Sequence, residues 1–229
     1  MSSELKTNKV SPATGTALQI GDSGDTITIP SGATLTNNGS SSGFDSGLAS
    51  VQVFTSSGTW TRPTGITKVI MEVQGAGGAG SAASSNYGGG SGGGYAKKFL
   101  NVSSISTSTI TVGAGAAATS GGAGAGANGG LSKWADGTNT ITGNGGLGNP
   151  NSSTANVAGG TGVGGDLNIP GGQGEYTRAG GATPFSMTTG AANVTGMTPT
   201  GYGGGGGNGY SSYASGGGAP GIVIVWEYK

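Results

Sequence analysis

Side chains able to perform acid–base or nucleophilic chemistry are scarce in this sequence. Histidine and cysteine are absent. That removes the Ser-His-Asp triad, thiol nucleophiles, disulfides and the usual zinc ligand sets. Hydrolysis of a glycosidic bond needs two carboxylates about 5–10 Å apart. Beyond residue 50 the acids are Glu72, Asp136, Asp166, Glu175 and Glu227. Glu72 and Glu227 fall in strand patterns, on a polar face or near the chain end, and Asp136 falls in a turn. Only Asp166 and Glu175 lie in segments that could line a pocket, so a depolymerase would need these two to face each other across a groove. No glycine run continues into Gly-Lys-Ser/Thr, which excludes a P-loop, and no Asp-x-Asp-x-Asp-Gly spacing offers a calcium loop. The reading is no catalysis, no metal and no cofactor.

Recognition chemistry is better supplied. Aromatic faces give apolar contact, and hydroxyls and amides give directional hydrogen bonds. The segments between glycine runs carry both. Residues 147–158 are rich in Asn and Ser, residues 173–199 contain Tyr176, Arg178, Phe185 and Met187, and residues 208–213 contain Tyr210 and Tyr213. Candidate binding residues are therefore Tyr176, Arg178, Phe185, Tyr210 and Tyr213. Trp60 and Trp226 sit in strong strand patterns and read as core or subunit interface; Trp134 reads as core. Nine Lys+Arg balance nine Asp+Glu. Without a basic face, nucleic acid is not an expected partner. The longest apolar run, residues 222–226, is far short of the ~20 residues that span a membrane, so the chain is not expected to be membrane-embedded. The polar first nine residues lack the apolar core of a signal peptide, so assembly in a cytoplasm is expected.

The elements that must position these residues are β-strands. Residues 17–20, 26–29 and 33–36 alternate apolar and polar, each ending at Gly, Pro or Asn. Strands this short cannot bury a core alone, and they fit a β stem built with other copies of the chain. Residues 37–50 read as a linker. Stronger patterns follow at 51–54, 60–63 and 66–73, the last placing Val69, Met71 and Val73 opposite Lys68 and Glu72. Residues 95–102 and 109–112 suggest one hairpin, and 131–135 with 138–142 another, turning at Asp136-Gly137. Residues 222–228 are apolar on both faces, as in a strand covered on both sides. This last strand is expected to pair with early ones and close the domain. The spacing thus predicts an all-β chain: a stem and linker at 1–50, then a glycine-rich, β-sandwich-like domain at 51–229.

Of the 229 residues 55 are glycine, nine before Gln74 and 46 after it. Glycine loses more backbone entropy on folding than any other residue. Runs at 75–80, 88–94, 113–130, 143–148, 159–165 and 203–207 either join strands as loops or pack as extended polyproline II-type helices, bonding backbone to backbone. The sequence leaves both open.

The series Val53-Phe-Thr-Ser-Ser-Gly-Thr-Trp-Thr-Arg-Pro63, Ile66-Thr-Lys-Val-Ile-Met-Glu-Val73, Gly92-Gly-Gly-Tyr-Ala-Lys-Lys-Phe99, Ile110-Thr-Val-Gly-Ala-Gly115, Tyr202-Gly-Gly-Gly-Gly-Gly207 and Gly218-Ala-Pro-Gly-Ile-Val-Ile-Val225 resembles the glycine-rich domain at the tips of bacteriophage tail fibres. The likeness covers roughly residues 51–229. The segment from Leu5-Lys-Thr-Asn-Lys-Val10 to Asn38 looks like the short β stems of marine podovirus-type tail fibres. In the related adhesins of T-even-like phages, glycine runs form stacked polyglycine II helices and the segments between them touch the receptor. The chain departs from those in carrying its own stem and in opening and closing on good strands. The resemblance implies a homotrimeric tail-fibre adhesin of the virion. It would bind a bacterial surface glycan or outer-membrane protein, and other virion tail proteins through its stem. It also implies framework roles for Tyr95 and Tyr202. A purely structural virion component and a surface-polysaccharide depolymerase are the alternatives.

Overall fold

The computed structural model describes residues 10–36, 38, 47–83, 88–122, 124–151, 156–176, 179–187 and 195–229. The chain divides into two compact units, Met1–Phe44 and Asp45–Lys229. In the first unit, described residues 10–36 contain turns and no strand. Turns close where the Asp25 N–H donates to the Asp22 carbonyl (3.0 Å) and the Ala33 N–H to the Pro30 carbonyl (3.1 Å). The pieces expected as strands at 17–20, 26–29 and 33–36 form no ladder within one chain. Each is too short to stand without a partner, and Leu18, Ile20, Ile27, Ile29 and Leu35 are left exposed.

The second unit is all-β, with two five-stranded antiparallel sheets. The first sheet runs β1 (Leu48–Phe54), β12 (Ile222–Tyr228), β3 (Lys68–Gln74), β5 (Tyr95–Asn101), β10 (Leu167–Ile169). The second runs β2 (Gly58–Thr61), β6 (Thr107–Thr111), β7 (Ser132–Ala135), β8 (Thr140–Gly143), β9 (Gly162–Val163). The C-terminal strand indeed closes the domain, lying between β1 and β3. The alternation in β3 sends Val69, Met71 and Val73 inward, opposite Val223 and Val225 of β12. Trp60 and Trp134 are fully buried in the core with ring centroids 4.9 Å apart. The β7–β8 hairpin forms as expected, with Gly137 at φ 93° in its turn.

Two expectations need correction. Residues 95–102 and 109–112 are not a hairpin: β5 pairs with β3 and β10, whereas β6 pairs with β2 and β7. The Ser/Thr-rich turn between them crosses from one sheet to the other. Glu227 lies on no polar face; it is fully buried. Its carboxylate accepts from Trp60 Nε1 (2.7 Å), Gln52 Nε2 (2.7 Å) and the Ser50 hydroxyl. A buried carboxylate is tolerated only with such donors, and here they come from both sheets.

The glycine runs are packed columns. From β3 the chain continues directly into residues 75–82, whose N–H groups rotate among three neighbours with a period of three. Gly75, Gly78 and Ser81 donate to Gly94, Ser91 and Gly88; Ala76, Ala79 and Ala82 donate to Gly130, Ala127 and Gly124; Gly77 and Gly80 donate to Ala219 and Gly216. The carbonyls accept mainly from residues 113–119, 143–149 and 203–209. Among the described residues these six segments also bond to one another in a closed ring around the central one. Three residues per turn without internal bonds is the polyproline II-type helix. Every N–H and C=O of residues 75–82 has a partner, as burial of backbone requires.

Side-chain size follows the same period. A Cβ at Gly78 would lie 2.2 Å from the Leu147 carbonyl oxygen, and one at Gly77 1.8 Å from that of Gly204. The remaining phase holds Ala76, Ala79 and Ala82, all fully buried. Alanine is admitted only where the groove between columns has room.

Candidate functional site

The columns fix where each connection emerges. β1 runs antiparallel to β12, pairing Leu48 with Tyr228 and Phe54 with Val223. Residue 48 is thus at the end of the sandwich away from the columns, and β3 feeds the columns at its other end. Chain reversals after residues 82, 119, 149, 174 and 209 all fall at the distal end of the columns, where Ala82 pairs with Gly124 and Gly209. Residues 187 and 196 bound a further connection, and Gly196 rejoins the bundle near the same end through the Ala214 carbonyl.

Tyr210 ends β11 (Gly209–Tyr210), which pairs in parallel with β4 (Ala82–Ala83) beside the central column. The Tyr213 N–H donates to the Tyr210 carbonyl (3.0 Å), closing a tight turn, and Tyr213 is 47% exposed. Within this turn Ser211 holds φ 56°, a left-handed conformation unusual for serine and of the kind that clusters at functional sites. The turn abuts residues 119–122: a Cβ at Gly121 would strike the Ser212 carbonyl. Tyr176, also exposed, donates its N–H to Asn156 Oδ1 (3.0 Å). It lies on the flank formed by residues 157–162 and 171–175, across the ring from Tyr213. Asn149 Oδ1 accepts from the Asn151 N–H (3.0 Å), and Asn151 has φ 61°. Asn149 Nδ2, Asn151 Oδ1 and Asn208 Oδ1 are shielded and without partners.

The structure therefore gathers Tyr176, Tyr210 and Tyr213 at one end, on two flanks of it. Arg178 lies outside the described residues. Phe185 is not among them: its ring packs on Tyr95 at 5.9 Å, and its carbonyl accepts from Tyr202 N–H where columns meet sheets. Burial, with Glu72 alongside, pushes the Tyr95 hydroxyl pKa well up. At ~3.1 Å per residue the columns hold Phe185 roughly 20 Å from the distal turns.

Acid pairing fails for the same reason. Asp166, in the turn from β9 to β10, accepts from the Phe99 N–H (2.9 Å) and Lys98 Nζ (3.1 Å), which hold its pKa down. Glu175 sits at the distal end, where its carbonyl accepts from Gly89. The two do not face each other. Burial opposes ionisation of Asp136, but hydrogen bonds from Asn139, Thr138 and Trp134 outweigh it and lower its pKa. Among the described residues no His/Cys/Asp/Glu cluster could hold a metal ion, and no helix is long and apolar enough to cross a membrane.

Charge is segregated. In sequence, the connections at 83–87, 120–123, 150–156 and 210–213 carry no charged residue, and 175–178 carries one of each sign, Glu175 and Arg178. What this end offers is tyrosine faces, amides, hydroxyls and backbone groups. Asn156 and Ser211 were not singled out from the sequence; the Asn/Ser richness of residues 147–158 pointed toward the first, and nothing local marks the second.

Fold and surface together define an all-β domain that displays turns of little charge from the end of a glycine bundle. The family model described as Glycine-rich domain matches residues 52–168, just over half of the chain, and the chain belongs to that family. No curated protein matches the chain.

Proposed function

We propose that this chain is a homotrimeric adhesin at the tip of a bacteriophage tail fibre, a virion component that binds a bacterial surface receptor without catalysis. One observation carries the reading: the second unit's N-terminal strand enters at one pole, and the exposed tyrosine turns sit at the other. A protein that joins a fibre at one end and meets a surface at the other needs this polarity. Exposed turns on a rigid frame are where binding residues concentrate. The resemblance to tail-fibre tips supports the same assignment, with residues 1–50 engaging other tail proteins.

The test is binding of fluorescently labelled protein to a panel of intact bacterial strains. Combined Tyr210→Ala and Tyr213→Ala substitution should abolish decoration of the bound strain, whereas Phe185→Ala, if folded, should retain it. Because the distal end is nearly neutral, binding should change less than threefold between 50 and 500 mM salt; each phosphate neutralised by a basic group would instead add about one unit of log–log slope. A folded protein that decorates no strain would favour a structural virion component.

A further inference from the structure

The outer face of the first sheet carries an apolar patch that no described residue covers, bordered on β3 and β5 by the Glu72–Lys97 ion pair (3.3 Å). Register aligns Val51, Trp226, Ile70 and Phe99 in one row across β1, β12, β3 and β5, and the adjacent row runs Val53, Ile224, Glu72, Lys97. Val51, Val53 and Phe99 are 40%, 56% and 53% exposed. Trp226 Nε1 is shielded and finds no acceptor in the chain. β1 is also an edge strand. Its sequence, LASVQVF, contains neither charge nor proline, the usual guards of a free edge. At Val51, Val53, Ile224 and Trp226 the face lacks the polar residues that one meant for water would carry, and an apolar patch of this kind marks an interaction site.

We infer that other copies of this chain cover this face and edge. The inference rests on the trimeric reading above and assigns its contact surface. A seven-residue strand is about 23 Å long and four strands span about 15 Å, so the face offers roughly 350 Å² in projection. A stable interface takes ~800 Å² per partner, so a foreign protein seated on the face alone would be held weakly. A copy of this chain brings the same face, the same uncharged edge and the exposed Leu and Ile side chains of residues 18–35. Self-association meets the deficit with apolar surface the chain already carries. A symmetry axis along the columns would leave every set of distal turns at the same end, where linked sites multiply weak contacts.

The absence of cysteine makes the test clean. Full-length Val53→Cys, Phe99→Cys and Tyr213→Cys proteins are labelled with a maleimide, and their mass is measured by light scattering. Within one chain the three positions have similar exposure, 56%, 53% and 47%, so a lone chain would label at similar rates. The expected result is a trimeric mass with Val53→Cys and Phe99→Cys labelling at least tenfold slower than Tyr213→Cys. Val53→Lys, with unchanged circular dichroism, should lower the mass. Equal labelling rates overturn the assignment even in a trimer. Slow labelling in a monomer overturns it too, because the chain would then cover its own face. Neither readout depends on receptor binding, so failure to decorate cells leaves this test intact.

Discussion

The sandwich and the glycine columns are both closely packed inside, but different parts of the residue make them so. In the sandwich, side chains do the burying: Trp60, Trp134, Met71 and Val225 are fully enclosed between two sheets. Around Gly78 there are no large side chains to bury, and the backbone hydrogen bonds of its column to six neighbouring segments replace them. The sandwich tolerates any apolar set of suitable volume, as cores do. At Gly75, Gly77, Gly78 and Gly80 the central column tolerates nothing larger than hydrogen, because the obstacle is a carbonyl that cannot move without releasing its own partner.

That contrast can be broken experimentally. The largest effect should come from Gly78→Val. The new side chain would collide with the Leu147 carbonyl, and the loss should exceed ~4 kcal/mol, enough to prevent cooperative folding. Near-ultraviolet circular dichroism of the Trp60–Trp134 pair would show whether the sandwich survives alone. If it does, the two regions are separate cooperative units. Trp134→Ala comes next, at ~3–5 kcal/mol from cavity formation, read by denaturant unfolding. Hydrogen-exchange protection at residues 75–82 should fall in parallel if the regions fold as one. Glu227→Ala strands the Trp60 indole N–H and the Gln52 amide without their acceptor and should cost ~2–3 kcal/mol. Ala79→Gly, one position from the most damaging site, should cost only ~1 kcal/mol. The smallest effect is acid dependence at Asp136. Its pKa is lowered in the fold, so its contribution is present above the unfolded value of ~3.9 and fades as pH falls through the lower folded value. Asp136→Asn should flatten that part of the stability–pH curve measured between pH 5 and 2.

Much of the sandwich was legible because its side chains alternate. Residues 66–73 showed their inward face, the Asp136-Gly137 turn announced the β7–β8 hairpin, and the apolar C-terminal strand announced closure. The false hairpin at 95–112 arose because strand alternation says nothing about which sheet a strand joins. The columns were harder: glycine carries no facial pattern, so loops and packed helices looked alike. Yet Ala76, Ala79 and Ala82 recur every third residue, a trace of the threefold period that sequence alone could have offered. Phe185 was grouped with the tyrosines because an aromatic between two glycine runs can emerge at either end. Counting traverses decides it: residues 171–174 run outward and 179–183 run back, which returns the chain to the sheets before Phe185. Tyr210 and Tyr213 follow an outward traverse.

The complete pairing of residues 75–82 also separates inheritance from novelty in this chain. Each distal connection begins and ends on a column anchored by its own backbone bonds, so the connection owes nothing to the framework. Lengthening one costs only loop-closure entropy, about 0.6 kcal/mol for each doubling. The turns of this domain can therefore be lengthened, shortened or exchanged one at a time, whereas Gly77 and Gly78 cannot be replaced without a clash. The molecule is built so that its outermost residues can be rewritten without refolding the rest.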